Sequence, residues 1–128
     1  MIADCIALPA RPRVDFDEAV LTVFCERNGT AAEATLADIL AKVETLLAMA
    51  SLQVEQGHHG GLRRSCEDLL PLARSVGMCS LQRATRGVLD CLTSGDAVAL
   101  SACATRLVAM GRPETFRDWS TVPDNTVA

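Results

Sequence analysis

The residues of this chain that could do chemistry are concentrated between Leu62 and Gly77, in the segment LRRSCEDLLPLARSVG. Ser65, Cys66 and Glu67 are consecutive there, but adjacency in sequence is not a signature of a nucleophile with its base. No hydrolase triad, Walker loop, dinucleotide-binding glycine pattern or zinc spacing is present. The motifs therefore predict no enzyme of these classes, no metal and no cofactor.

The two histidines of the chain, His58 and His59, stand in a glycine-flanked segment. They could be metal ligands or acceptors of a phosphoryl group. No carboxylate accompanies them at ligand spacing, and glycines on both sides are typical of a turn. We therefore expect a solvent-exposed loop pair.

The six cysteines occur singly, without a C-x-x-C pair. Most fall on the apolar phase of helical segments, where a free cysteine behaves as a small buried hydrophobe. We therefore expect them in the core, in place of a disulfide framework. They are Cys5, Cys25, Cys66, Cys79, Cys91 and Cys103.

Composition limits the class of protein. The 128 residues suffice for one domain, and 49% hydrophobic residues predict a folded chain. The net charge of −4 provides no basic field for phosphate backbones, which counts against nucleic-acid binding. The start lacks a basic region and is interrupted by Pro9 and Pro12, and no apolar run reaches membrane-spanning length, so a cytoplasmic location is expected.

Apolar residues recur with helical spacing in five segments. The first helix is predicted over 14–27, with Asp15 as N-cap and Asn28-Gly29 as its end. Thr30 is expected to cap a long second helix, and the glycine-rich stretch 57–61 is expected to be a turn. The third helix is predicted from Leu62 to Gly77, the fourth from a Ser80 cap, and the fifth from Asp96 to near Gly111.

These segments predict an all-α fold, an up-and-down antiparallel four-helix bundle with a short leading helix. The expected division is an N-terminal extension (1–13), the helical bundle (14–111) and a polar tail (112–128) with Phe116 and Trp119. The second and fifth helices are expected to carry most of the core. The residues concerned are Leu40, Val43, Leu47, Leu100, Cys103 and Leu107.

The order of these helices resembles the histidine-containing phosphotransfer (HPt) domain, over about residues 15 to 110. In that family the third helix carries Leu-Arg-Arg, two small residues and the phosphorylated histidine, followed by a Leu-Lys-Gly and a later Leu-Gly. Here Leu62, Arg63, Arg64, Ser65 and Cys66 match the approach to the histidine. Downstream, Leu69, Ala73 and Val76-Gly77 match the core positions and the ending.

Three positions depart from this pattern. The resemblance assigns the histidine to Glu67, the following lysine to Leu70 and the glycine to Pro71. A carboxylate is not the neutral nucleophile that an imidazole is, so phosphate transfer is expected to be lost. Pro71 removes one helical hydrogen bond and is expected to kink the third helix or divide it.

The resemblance implies an HPt-like protein of a two-component phosphorelay that binds a receiver domain or histidine kinase without carrying phosphate. The expected partner surface consists of Arg63, Arg64, Glu67, Leu70, Pro71 and Arg74. Arg83 and Arg86 add positive charge on the fourth helix, either for an acidic partner or as ordinary polar residues. The alternative is an unrelated small helical adaptor or a homodimer, and DNA binding is disfavoured by the charge.

Overall fold

The structure, a computed structural model, describes residues 16–111. It contains α1 (Glu18–Asn28), a 3-10 turn (Gly29–Ala31), α2 (Ala32–Gln56), α3 (His59–Ser75), α4 (Cys79–Ser94) and α5 (Ala97–Met110). Within this range the only β-type pairing is an isolated bridge between Phe16 and Met78. The predicted all-α class is confirmed. The expected N-terminal extension and the polar tail with its two aromatic residues lie outside the described residues.

The four longer helices pack against one another in chain order, and α5 packs back onto α2. Connections of two or three residues separate these helices, which obliges the chain to reverse at each. The shorter α1 lies against α2 and α3. This arrangement leaves each long helix with one inward face and one outward face.

The inward face of α2 follows the predicted phase, with Leu40, Val43, Leu47 and Ala50 buried. The expectation that α2 and α5 carry most of the core is wrong, because the α3–α4 hairpin contributes at least as much. Cys103 is only half-buried. The fully buried side chains of the hairpin and its turn include Leu62, Cys66, Leu69, Val76, Met78, Leu81 and Val88.

Some predicted helix caps are confirmed and others are wrong. Gly29 and Gly95 end α1 and α4 with positive φ, and the Asp96 carboxylate accepts the Ala99 N–H at 3.0 Å. Asp17 caps α1, through bonds from the Ala19 and Val20 N–H groups, while Asp15, the predicted cap, lies outside the described residues.

Thr30 and Ser80 are not caps. Thr30 lies within the 3-10 turn that leads directly into α2, so no extended capping residue is needed there. Ser80 is the second residue of α4, whose N-cap is Met78. In both places helical backbone begins earlier than the capping pattern predicts.

Leu47→Ala should lower the free energy of unfolding by about 2–5 kcal/mol, since it leaves a cavity at a side chain that is 1% exposed. Leu52→Ala, on the same helix but 53% exposed, is the matched control and should change it by less than about 0.5 kcal/mol. Urea denaturation of both variants measures the difference. Equal effects would show that the phase of α2 is misassigned.

Candidate binding ridge on the third helix

The outward face of α3 is determined by what the helix buries. Leu62, Cys66, Leu69 and Ala73 follow helical spacing and are at most 2% exposed. The opposite side therefore faces solvent. It presents a line of exposed residues that we term the α3 ridge: Arg64, Glu67, Pro71 and Arg74.

Two further residues of the predicted partner surface border this ridge. Arg63 and Leu70 are half-buried and lie seven residues apart, hence on the same side of α3 as Cys66. That side is turned away from α2, which contacts the opposite flank through Gln53 and Ser65. All six predicted surface residues are therefore at least partly accessible on adjacent faces of one helix.

A shallow groove of about 460 Å³ follows the ridge on the α2 side. Its walls combine apolar and charged groups from two helices. They are Ala41, Lys42, Thr45 and Leu46 of α2 and Asp68 and Leu72 of α3. A partner lying along the ridge would thus find apolar surface beside it.

A second groove, of about 580 Å³, opens at the C-terminal end of the ridge. α1 supplies its apolar wall through Val20, Val23 and Phe24, and Arg27 and Arg74 lie at its edge. Val23 is 48% exposed, although α1 packs against the bundle. Arg74 therefore belongs to both the ridge and this groove.

The negative charge of Glu67 on the ridge is not neutralised by an ion pair with Arg63. No ion pair joins Glu67 to Arg63, although they are one helical turn apart. A partly exposed pair in this order would contribute only about 0.3–0.5 kcal/mol, which is too little to hold the two side chains together. Arg83 and Arg86 are exposed on α4 and are not part of the ridge.

The expected division of α3 at Pro71 is wrong, because the helix continues through this residue to Ser75, while the alternative expectation of a kink there stays a prediction. Pro71 is exposed, while Leu69 and Ala73 on either side of it are buried. Packing of these neighbours holds the helix together, and the unpaired Glu67 carbonyl is on the accessible side, where water can satisfy it. The ridge is therefore one continuous helical surface.

The nucleophilic groups beneath the ridge are not available for reaction. The Ser65 Oγ is buried and hydrogen-bonded at 2.8 Å to the side-chain amide of Gln53. Burial, and secondarily the Glu67 carboxylate, raise the pKa of the Cys66 thiol to about 12. This thiol stays protonated at neutral pH, and the arrangement supports binding better than covalent catalysis.

The histidines are exposed, but the predicted turn is wrong in its extent. α3 begins at His59, and His58 is its N-cap: the Gly61 N–H donates to the His58 Nδ1 at 2.9 Å. Only glycine fits at position 61, because a Cβ there would lie 2.4 Å from the His58 Nδ1 and would clash with it. His58 therefore has a structural role that residue types alone did not indicate.

The prediction that the cysteines lie in the core holds for Cys66 and fails for Cys25, which is exposed. Cys79, Cys91 and Cys103 are intermediate, and Cys5 lies outside the described residues. Cys25 follows the buried Phe24 and so points away from the contact that α1 makes with the bundle. In residues 16–111, no cluster of His, Cys, Asp or Glu could hold a metal ion.

Sequence reasoning missed both grooves beside the ridge. A partial signal existed on the exposed outer face of α2, where Ala41 lines the first groove and Ala48, Met49 and Leu52 extend the apolar surface outside it. A second apolar face on one helix indicates a contact beyond the core. Across the described part of the chain, no helix combines the length and apolarity needed to cross a membrane.

No protein-family model, no curated protein and no solved structure matches this chain. The class that the structure defines is a small all-α protein whose four longer helices pack together.

His58→Ala should destabilise the protein by about 0.5–2 kcal/mol, because the start of α3 loses its cap. His58→Asn, which can accept the same N–H, should recover most of this loss. His59→Ala is the control, since His59 is exposed and does not cap. Thermal denaturation at neutral pH distinguishes them, and equal losses at the two positions would refute the capping role.

In the native protein Cys25 should react with iodoacetamide while Cys66 should not. At pH 8 a thiol with a pKa of about 12 is ionised to roughly one part in ten thousand. Keeping Cys66 protonated stabilises the fold fully below pH 9.0, and this stabilisation is lost as the pH rises toward 12. Mass spectrometry of alkylated peptides tests the difference, and rapid labelling of Cys66 without unfolding would contradict its burial.

Proposed function

We propose that this protein is an HPt-like helical bundle that binds the receiver domain of a two-component phosphorelay through the α3 ridge and does not itself carry phosphate. The observation that carries the proposal is the position of Glu67. It is exposed near the middle of α3, with Arg64 and Arg74 on the same face. The resemblance assigns the phosphorylated histidine to this same position.

The shape of the ridge supports docking of a folded partner. Apolar grooves open toward α2 and α1, and their linings include Leu46, Leu72 and Val23. Interfaces combine such apolar surface with a polar rim. The four-helix packing, in which α5 closes onto α2, is compatible with the HPt-like part of the proposal.

The charges of the ridge indicate the chemistry of the partner. The four arginines Arg63, Arg64, Arg74 and Arg27, the last at the edge of the second groove, outnumber the Glu67 and Asp68 carboxylates of this surface, on a chain whose net charge is −4. Such a surface complements an acidic site, and the aspartate-rich pocket of a receiver domain is acidic. A cytoplasmic, non-enzymatic protein without cofactor belongs to this proposal.

Loss of phosphate transfer follows from the residues that replace the family pattern. Glu67 offers a carboxylate, and its phosphorylation would need an activation that no neighbouring group supplies. Leu70 cannot balance phosphate charge as a lysine would, and Pro71 fills the space that a glycine leaves. The nearby Cys66 thiol remains protonated and buried, so it does not substitute.

A binding experiment against purified receiver domains of the same genome tests the proposal. Reversing both Arg63 and Arg64 to Glu should weaken binding at least about tenfold, and raising the salt concentration should weaken it further. Arg106→Glu, at an exposed position on α5, is the matched control and should have little effect. Isothermal titration calorimetry provides the affinities.

A phosphorylated receiver should leave no acid-labile phosphate on this chain, including on His58 and His59. Transfer to either histidine would contradict the claim of lost phosphate chemistry. Equal weakening by Arg106→Glu and the α3 reversals would show that net charge, and not the ridge, determines binding.

The second candidate function is that of a homodimer, favoured by a different surface. Met49 and Leu52 on the outer face of α2 are 46% and 53% exposed, which is unusual for large apolar side chains so close together. Sedimentation analysis of the wild type and of Leu52→Glu tests it. A dimer that the substitution dissociates, together with no receiver binding, would favour this function over the first.

A further inference from the structure

Two cysteines on different helices lie close together at the α4–α5 hairpin. The Sγ atoms of Cys91 and Cys103 are 3.7 Å apart, with the Cys91 thiol donating to the Cys103 sulfur. Both are half-buried and hence partly accessible. This thiol pair lies outside the α3 ridge and takes no part in the proposed function.

The backbone around this thiol pair is well anchored. Cys91 belongs to the last turn of α4, where its carbonyl accepts the Gly95 N–H at 2.9 Å. Cys103 directly precedes the buried Ala104 of α5. One turn before Cys91, a Cβ added to Gly87 would be 3.4 Å from the Cys103 Sγ, so the two helices run close together here.

We propose that Cys91 and Cys103 form a reversible intramolecular disulfide by exchange with a small-molecule disulfide such as oxidised glutathione. A disulfide requires the sulfurs to approach to about 2.0 Å, which rotation of the two side chains can provide across the observed gap. The bond would link α4 to α5. It is a modification site of the thiol–disulfide class.

The exchange proceeds in two balanced steps. The Cys103 thiolate attacks the glutathione disulfide, forming a mixed disulfide and releasing one glutathione thiolate. Cys91 then loses its proton and attacks the Cys103 sulfur, releasing the second glutathione. Two protein thiols are oxidised and one glutathione disulfide is reduced to two thiols.

The order of the steps follows from the surroundings of Cys91. Partial desolvation raises the pKa of this thiol, and the hydrogen bond to Cys103 and the Asp96 and Asp90 carboxylates add to the rise. Because these interactions disfavour the thiolate of Cys91, we assign the first attack to Cys103 and the resolving attack to Cys91.

Digestion with trypsin places Cys91 and Cys103 in one peptide, so the disulfide can be detected from the mass of that peptide. Cleavage after Arg86 and Arg106 releases residues 87–106, which contain both cysteines of the pair, while Cys25, Cys66 and Cys79 fall in separate peptides. The reduced native protein is incubated with a glutathione redox buffer, quenched with acid, alkylated and digested without reduction. We expect peptide 87–106 to lack two hydrogen atoms and to carry no alkyl group.

Three controls distinguish folded proximity from chance pairing. The same treatment in urea should give less of the closed peptide, because the helices no longer hold the sulfurs together. Cys103→Ser should abolish it, and Cys79→Ser should not. Closure in the native protein should also raise Tm by at least about 5 °C, since it constrains the unfolded chain.

Three results would overturn the proposal. One is a peptide 87–106 with both cysteines alkylated after oxidation. Another is a stable glutathione adduct on one cysteine without closure. The third is closure that is as extensive in urea as in the native protein, which would assign the bond to short sequence spacing alone.

Discussion

The turn at Gly77 is the constraint on which the arrangement of the other elements depends. This turn reverses the chain between α3 and α4, the two helices that contribute most of the fully buried side chains. Gly77 has a φ of +74°, which glycine adopts easily because it has no Cβ. The Gly77 carbonyl accepts the Asp17 N–H at 2.7 Å. A Cβ at Gly77 would lie 3.0 Å from the Asp17 carbonyl oxygen and from the Val20 side chain. The same residue thus forms the central hairpin and admits the start of α1.

The grooves beside the ridge follow from this constraint. Asp17 is held against Gly77 and also caps α1, so the direction of α1 is determined at its first turn. Val20 and Val23 then form one wall of the groove that ends at Arg74. The ridge is supported from the opposite side of α3, where Leu62, Leu69 and Ala73 are buried together. A surface supported in this way would not need to become ordered before binding the partner that we propose.

Burial also separates binding from reactivity along α3. Cys66 and Glu67 are neighbours in sequence, yet one is fully buried and protonated while the other is exposed. The potential nucleophile and the potential base therefore cannot act together at the surface. At the α4–α5 hairpin the opposite holds, since two thiols on different helices are brought to 3.7 Å at a partly accessible position. Position in the bundle, more than residue type, decides which cysteine can react.

The sequence by itself determined the helical class, the inward phase of α2 and the ends marked by Gly29, Gly95 and Asp96. These depend on the apolar period and on local backbone preferences, which act within a few residues. It also determined that Glu67 and the α3 arginines share one helix, because their spacing is helical. To predict which helices pack side by side, the lengths of the connections between them are needed as well. The glycines indicated approximately where these connections lie.

Only the tertiary structure decided the features that depend on neighbours distant in sequence. The His58 side chain, by capping α3, together with packing at Leu62, extends helix into a glycine-rich stretch that local preference assigned to a turn. Packing likewise carries α3 through Pro71 and exposes Cys25 while burying Cys66. Glycine, proline and cysteine preferences are worth only a few kcal/mol at most, and burial against another helix can exceed them. For that reason the local pattern predicted the helices, while contacts between helices determined where they start and which side chains remain accessible.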